Sequence, residues 1–215
     1  MAKISTLDLS PDHSFEFWRE ATRTTYGLGS PKGRRRELRL SATIHRVSSL
    51  MISEFRCQRN HKWRDKSHIA QDGREYVKIR RYHRGGAVYM SNGQMFTLGP
   101  GATYLLDQSR PFAELSQDNC QTNIFAPREL LVPDLSRPQP VIKWQDGSAE
   151  GEIIRAAIAR LLVGITLPSF REHLEAEEKF LNVIRGLIEG GPDSFEQTAL
   201  SDARRKAVEG QLEQV

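Results

Sequence analysis

The sequence predicts an α+β protein in which a short N-terminal helix precedes an antiparallel β-sandwich or barrel and a C-terminal helical hairpin follows it. Two changes in hydrophobic periodicity predict this order. Apolar residues recur at helical spacing up to residue 26, alternate with polar residues from about 38 to 125, and return to helical spacing from Glu150 onward. Short strands with little helix between them are typical of antiparallel sandwiches and barrels.

The first helix is predicted between residues 14 and 26. Phe15 and Trp18 fall on one face of it, and Ser14 or Asp12 can serve as the N-cap because its side-chain oxygen accepts a bond from the first free backbone amides. We therefore expect a short amphipathic helix.

At least seven short strands are predicted between residues 38 and 125, separated by Gly, Pro and Asn. The strand from Tyr76 to His83 is dense in charge on both faces. Asn92-Gly93 lies between two apolar runs, and this dipeptide readily supplies the positive φ angles of a type I′ hairpin turn. A second turn is predicted at residues 97–101.

Two apolar stripes at helical spacing predict the C-terminal hairpin. The first spans residues 153–165 and ends near Pro168, and the second spans residues 180–188 and stops at a Gly-Gly-Pro sequence. A third, weaker helix is predicted from about Ser201. We accordingly divide the chain into a barrel with its N-terminal helix (1–135), a linker (136–149) and a helical region (150–215).

Composition excludes several classes of protein. The chain has 215 residues, enough for one ordinary domain and too few for two large catalytic domains. No stretch approaches the roughly 20 apolar residues of a membrane span, and the first residues lack the apolar core of a signal peptide. Two cysteines are too few for a disulfide framework. We expect a cytoplasmic protein with no membrane association.

No motif predicts catalysis, a cofactor or a metal. Among the six histidines there is no H-x-H pair, which a barrel metal site needs to point two imidazoles inward from one strand. The G-x-S-x-G elbow of hydrolases is absent, and the Gly-Pro-Gly turn at residues 99–101 leads into a strand, whereas phosphate-binding loops open onto a helix. We expect no enzyme activity.

The predicted barrel could hold a small molecule in its interior. Arg80 and Arg81 must face opposite ways, and Arg81 and His83 share a parity with the apolar Val77 and Ile79, so Arg81 and His83 are expected to face inward. Together with aromatic residues of the same zone they would suit an anionic or aromatic ligand. The candidate ligand-binding residues are Arg81, His83, Trp63, Tyr104 and Phe55.

A basic run raises an alternative. Residues 32–66 contain 11 Lys or Arg against three acids, which could mark a nucleic-acid-binding face because clustered cations displace phosphate counterions. The run follows a turn and is not interleaved with aromatic residues, which favours a solvated surface.

The order of several short motifs resembles the N-terminal sensor domain of AraC/XylS-type transcriptional regulators. The motifs are FEFWRE at 15–20, GREY at 73–76, FTLGPGATYLLDQSRPF at 96–112 and APRELL at 126–131. The resemblance implies a cupin-like barrel that binds an effector and a helical hairpin through which two subunits form a homodimer. It also implies a C-terminal domain with two helix-turn-helix units that alone contacts DNA. That domain is not in this sequence, and residues 201–206 look like the linker into it.

Two further questions stay open at this point. The apolar stripes that we assign to dimerisation could instead pack on the barrel, as helices commonly cover sheets; their residues are Ile154, Ile158, Leu161, Ile165, Leu181, Ile184 and Ile188. The alternative function is a metal-free or metal-poor cupin-type isomerase or lyase acting on a small acid. For that reaction His83, Glu54 and Asp107 are the candidate acids and bases.

Overall fold

The computed structural model describes residues 2–29, 38–73, 75–131 and 141–189. Within them the chain forms 12 strands and five helices. The strands are β1 (Ala2–Ser5), β2 (Gly27–Gly29), β3 (Leu40–Val47), β4 (Leu50–Cys57), β5 (Asn60–Arg64), β6 (Tyr76–Arg84), β7 (Ala87–Ser91), β8 (Gln94–Leu98), β9 (Ala102–Asp107), β10 (Phe112–Ser116), β11 (Asn119–Pro127) and β12 (Val141–Gln145). The helices are α1 (Pro11–Thr22), α2 (Lys66–Asp72), α3 (Arg128–Leu131), α4 (Ala149–Gly164) and α5 (Phe170–Glu189).

The strands form two antiparallel sheets. A seven-stranded sheet has the order β1-β3-β4-β11-β6-β9-β12, and a five-stranded sheet has the order β2-β5-β10-β7-β8. Their inner faces meet in a cluster of buried side chains that includes Tyr82 and Tyr104 from the larger sheet and Tyr89 and Phe112 from the smaller one. This is the sandwich or barrel that the alternating sequence predicts.

Part of the outer face of the seven-stranded sheet is covered by the C-terminal helices. Ile52, Ile79 and Ile124 lie side by side on neighbouring strands and pack in one cluster with Ile154 of α4 and Ile184 of α5. This part of the sheet is therefore buried on both sides, by its partner sheet and by the helices.

Helices α4 and α5 pack closely on each other. A Cβ atom placed on Gly164 would lie 2.4 Å from the Cβ of Ala176, closer than two carbon atoms can approach. Gly164 and Ala176 therefore allow the two helices to approach closely.

Helix α1 packs on the edge of the sandwich near β2 and β3. Phe15 and Trp18 join a buried cluster there, and the Trp18 indole Nε1 donates to Thr6 Oγ1 at 3.0 Å. The helix begins at Pro11 and is capped by Ser10, not by Ser14 or Asp12. Ser14 is instead buried and donates through Oγ to Thr6 Oγ1 at 2.5 Å.

The hairpin turn between β7 and β8 has the expected geometry. Asn92 and Gly93 have φ angles of 52° and 72°, the left-handed pair that a type I′ turn requires. The motif therefore fixes the register of β7 against β8.

Two segments have more regular structure than the sequence predicts. Residues 141–145 fall in the predicted linker but form β12, the edge strand of the larger sheet paired with β9. Residues 60–72, to which the sequence patterns assign no individual element, form β5 and α2. Asp65 caps α2, because its carboxylate accepts from the backbone amides of Ser67 and His68. The division at residues 135 and 150 otherwise stays a prediction, and the third helix from Ser201, the residues 201–206 and the basic cluster at 32–36 lie outside the described residues.

Candidate ligand-binding site in the barrel

The side chains of β6 point alternately into two buried regions, the cluster beneath the helices and the space between the two sheets. Val77 and Ile79 face the helices in the outer cluster. Lys78 and Arg80 alternate with them and therefore face the five-stranded sheet, where both are buried. Consequently Lys78 and Arg80 lie in the barrel interior, and Val77 and Ile79 lie on the helix-covered side.

The centre of the interior is an ion pair between the two sheets. Arg80 Nη1 of β6 lies 2.8 Å from Glu114 Oε2 of β10, and both side chains are almost completely buried. Lys62 Nζ of β5 lies 3.5 Å from Glu114 Oε1. Burial alone would raise the pKa of Glu114, but Arg80, Lys62 and Lys78 outweigh it and hold that pKa well below its usual range. Glu114 is therefore an anion at any physiological pH.

Further hydrogen bonds hold the Arg80 guanidinium in place. Its Nε donates to Asn123 Oδ1 at 2.9 Å, and its Nη1 donates to the Tyr82 hydroxyl at 2.9 Å. Burial raises the pKa of Tyr82 to about 12, so the phenol stays neutral. Arg80, Tyr82 and Asn123 of β6 and β11 thus form a polar wall in the middle of the sandwich.

The Lys78 ammonium lies beside aromatic rings. Its Nζ is 5.2 Å from the ring centroid of Phe125 and 5.8 Å from that of Phe112. Burial and the nearby Arg80 charge lower the pKa of Lys78 well below its ordinary value. The amine is therefore in an environment that disfavours its charged form.

Two polar atoms next to this wall are buried without a hydrogen-bond partner among the described residues. They are Ser53 Oγ on β4 and Gln121 Oε1 on β11. Ser53 pairs in register with Asn123, and Gln121 pairs with Tyr82, so both lie next to the groups that bind Arg80. A buried polar atom without a partner costs roughly 1–3 kcal/mol, which a bound ligand would recover.

Only two of the five predicted ligand-binding residues face the space between the sheets. Tyr104 is buried there, and its hydroxyl accepts from the Gly99 amide at 3.0 Å. Phe55 is half-buried and packs against the cluster beneath α1. Trp63 alternates with the buried Lys62 and Arg64 and lies on the outer face of β5, where its indole packs on the backbone of Gly27.

The expected inward orientation of Arg81 and His83 is wrong, and Arg80 faces inward instead. Arg81 shares a face with Val77 and Ile79 as predicted, but that face is the one turned toward the helices. Its guanidinium makes two bonds of 2.7 Å to the carboxylate of Asp146, just before α4. His83 is exposed on the same face, with Nε2 2.8 Å from Thr122 Oγ1. Neither side chain reaches the barrel interior.

The predicted ligand-binding residues include none of the four charged residues of the interior, which are Lys62, Lys78, Arg80 and Glu114. A usable signal existed in β10, where Glu114 alternates with the apolar Ala113 and Leu115 and follows Phe112 by two positions. Phe112 and Glu114 therefore share the buried face.

The acids and bases considered for an enzyme lie apart from one another. Glu54 and His83 are exposed on the outer face of the larger sheet. Asp107 is buried and shapes a turn, since its Oδ1 accepts from the Ser109 amide at 2.9 Å and its Oδ2 lies 3.1 Å from Arg110 Nε. In the part of the chain that the structure describes, no three His, Cys, Asp or Glu side chains are grouped so as to hold a metal ion.

The seven residues predicted for dimerisation are used within the subunit. Ile154, Ile158, Leu161, Leu181 and Ile184 are buried in the cluster against the larger sheet, and Ile165 and Ile188 are half-buried beside it. The alternative that these stripes pack on the barrel is therefore correct for the five buried residues. A strong apolar stripe is buried by the nearest apolar surface, which here is the sheet.

A different face of α4 and α5 is open. A groove of about 810 Å³ runs between the two helices and is lined by Ile153, Ala156, Arg160, Leu167, Glu172, Glu175, Ala176, Lys179 and Val183. Leu167, which lines the groove, is an exposed apolar side chain, and so are Val163 of α4 and Phe170 and Leu174 of α5, which do not line it. Among the described helices, none is long and apolar enough to cross a membrane.

Comparisons with known proteins place the fold. No family model matches the chain, and no curated protein matches it in sequence. The solved structure of the AraC-like transcriptional activator CuxR matches with a TM-score of 0.74 at 16% identity, over 86% of this chain and 69% of that one. A ToxT structure from Vibrio cholerae matches with a TM-score of 0.45 at 11% identity over 69% of this chain and 58% of that one. KdgF from Halomonas sp. matches with a TM-score of 0.31 at 14% identity over 42% of this chain and 79% of that one.

The CuxR match covers both the sandwich and the helices that follow it, because it spans most of the described chain. It confirms the predicted α+β class with an N-terminal helix, an antiparallel sandwich and a helical hairpin. The chain therefore has the fold of an AraC-like transcriptional activator, as the resemblance in its sequence implies.

Proposed function

We propose that this chain is the sensing and dimerisation module of a cytoplasmic transcriptional regulator. In this proposal the barrel binds a small effector between its sheets, and the α4–α5 groove pairs two copies. The observation that carries the proposal is the interior of the barrel, which is charged and contains buried polar atoms that have no partner among the described residues. Contact with DNA belongs to a separate helix-turn-helix domain, as the resemblance implies.

The polar interior of the barrel is better suited to binding a ligand than to stabilising the fold. A sandwich gains most stability from an apolar interior, and burying charged groups there is costly unless every group is paired. Here Arg80 and Glu114 are paired, but Ser53 Oγ and Gln121 Oε1 are not. Such groups are well suited to orient a ligand.

The same interior gives little support to the alternative of an acid–base enzyme. A general acid or base works best when its pKa lies near the working pH. The cations around Glu114 hold its pKa far below that range. Glu114 therefore suits electrostatic binding and does not suit proton transfer.

The α4–α5 groove supports pairing with a second copy. Leu167, which lines the groove, is 38% exposed, and Val163, four residues before it, is 63% exposed. Exposed apolar residues that lie together can mark an interaction surface. The groove also carries both cations, Arg160 and Lys179, and acids, Glu172 and Glu175. A two-fold axis can place each sign opposite the other, because the two patches of a symmetric dimer are identical.

We expect the double variant Val163→Glu with Leu167→Glu to dissociate the dimer, because Leu167 lines the groove. Sedimentation velocity over a range of protein concentrations should show a dimer for the unchanged protein and at least tenfold weaker association for the variant, since about 1.4 kcal/mol already gives that factor. Met95→Glu is the matched control, because Met95 is 72% exposed on β8 in the other sheet. A dimer that survives the double variant, or a protein that is monomeric at every concentration, would contradict this part of the proposal.

A further inference from the structure

The barrel interior holds more positive than negative charge among its described residues. Lys62, Lys78 and Arg80 are buried around one carboxylate, that of Glu114. The neighbouring Arg64 does not add to the excess, because its Nη1 lies 2.8 Å from Asp72 Oδ2. Two cations more than anions therefore face the interior when every lysine is protonated.

The oxygens of Glu114 are already occupied. Oε2 accepts from Arg80 Nη1 at 2.8 Å. Oε1 accepts from Ser116 Oγ at 2.8 Å and lies 3.5 Å from Lys62 Nζ. No described carboxylate lies within ion-pair distance of Lys78, and its Nζ lies 5.8 and 5.2 Å from the ring centroids of Phe112 and Phe125.

We propose that Lys78 is the binding residue for the carboxylate of a small organic acid whose apolar or aromatic body packs on Phe112 and Phe125. This inference rests on the proposed sensing function and adds the chemical class of the effector.

The surroundings of Lys78 favour a carboxylate with an apolar body over a free phosphate. A phosphate dianion needs several donors to replace its water shell. Two aromatic rings lie with their centroids 5.2 and 5.8 Å from the amine, and such rings supply no strong donors. One carboxylate neutralises the lysine, and the stacked rings of Tyr89 and Phe112, 5.2 Å apart, extend the apolar wall. Inorganic phosphate is therefore a suitable negative probe.

Calorimetric titration with matched acids and amides tests the inference. The probes are benzoate and hexanoate, the neutral benzamide and hexanamide, and inorganic phosphate, all at equal ionic strength. We expect at least one of the two carboxylates to bind, with an affinity at least tenfold above that of its amide and of phosphate. Lys78→Met should weaken that binding at least tenfold, whereas Lys143→Met, a change at an exposed position of β12, should not alter it.

Three results would overturn the inference: amides that bind as tightly as the acids, a Lys78→Met variant that retains full affinity, or no binding of either carboxylate. The acid and amide comparison uses the unchanged protein, so it does not depend on a variant that folds. If only uncharged probes bind, the inference fails and the sensing function stands. If no probe binds and the protein is also monomeric, the sensing function fails with it.

Discussion

Glu114→Gln is expected to lower the free energy of unfolding by about 3–5 kcal/mol, because it leaves Arg80 buried without its ionic partner. Both side chains of this pair are almost completely buried, and Arg80 Nη1 binds Glu114 Oε2 directly. The glutamine keeps the shape of the side chain but removes the charge that also faces Lys62. No other described carboxylate takes its place.

Chemical denaturation measures this effect, with Glu54→Gln on the exposed outer face as the control. Because the folded-state pKa of Glu114 lies below its ordinary 4.5, its contribution is fully present above that pH. The contribution is lost as the pH falls through the folded-state pKa. The variant should therefore destabilise the protein at pH 7 and show a weaker loss of stability on acidification. A change equal to that of Glu54→Gln would contradict the central role of this ion pair.

Lys78→Met is expected to stabilise the ligand-free protein by about 1–3 kcal/mol, since it removes a buried amine whose charged form burial disfavours and which pairs with no described carboxylate. Methionine has a similar length and fills the space beside Phe112 and Phe125 with apolar atoms. A gain in stability together with a loss of carboxylate binding would show that Lys78 serves ligand binding and does not stabilise the fold.

The pH dependence gives this prediction a definite sign. The groups around Lys78 are Arg80, Glu114, Lys62 and Arg64, and burial with the Arg80 charge places its folded-state pKa below the ordinary 10.5. Between these two pKa values the unfolded chain binds more protons, so stability rises with pH. The advantage of Lys78→Met in thermal unfolding should therefore shrink as the pH rises toward 10.5, and Lys143→Met should show no such trend. A destabilised Lys78→Met variant would show that the amine contributes to folding.

The sequence patterns predict local structure well where one physical cause dominates. The helical stripes after Glu150 and the Asn92-Gly93 turn follow from periodicity and from the φ angles that the turn needs, and the structure has both. The N-cap of α1 was predicted at Ser14 or Asp12 and lies at Ser10. Ser14 is unavailable because the tertiary structure buries it against Thr6.

The orientation of β6 could not be predicted from its own residues. Val77 and Ile79 mark one face as apolar, and an apolar face normally identifies the interior. This sheet has two interiors, and the apolar residues face the helices while Lys78 and Arg80 face the barrel. Because the partner of Arg80 lies 34 residues away on another sheet, local alternation carries no information about it.

The dimerisation residues illustrate the same limit. The strongest apolar stripes of α4 and α5, which include Ile154 and Ile184, are buried by the sheet of their own subunit. The open face instead carries isolated apolar residues among charges, such as Val163 and Phe170, and has no periodic signal. The location of this face depends on how both helices pack on the sheet, which local periodicity does not determine.

The most direct test of the central claim is the pKa of the Lys78 amine, measured by NMR of protein with isotope-labelled lysine and assigned with Lys78→Met. Without ligand, the amine should titrate below its ordinary 10.5, because it is buried near Arg80. On addition of the carboxylate that binds, the pKa should rise, since a nearby anion stabilises the ammonium form. An amine that titrates near 10.5 and does not respond to either carboxylate would contradict an anion-binding interior.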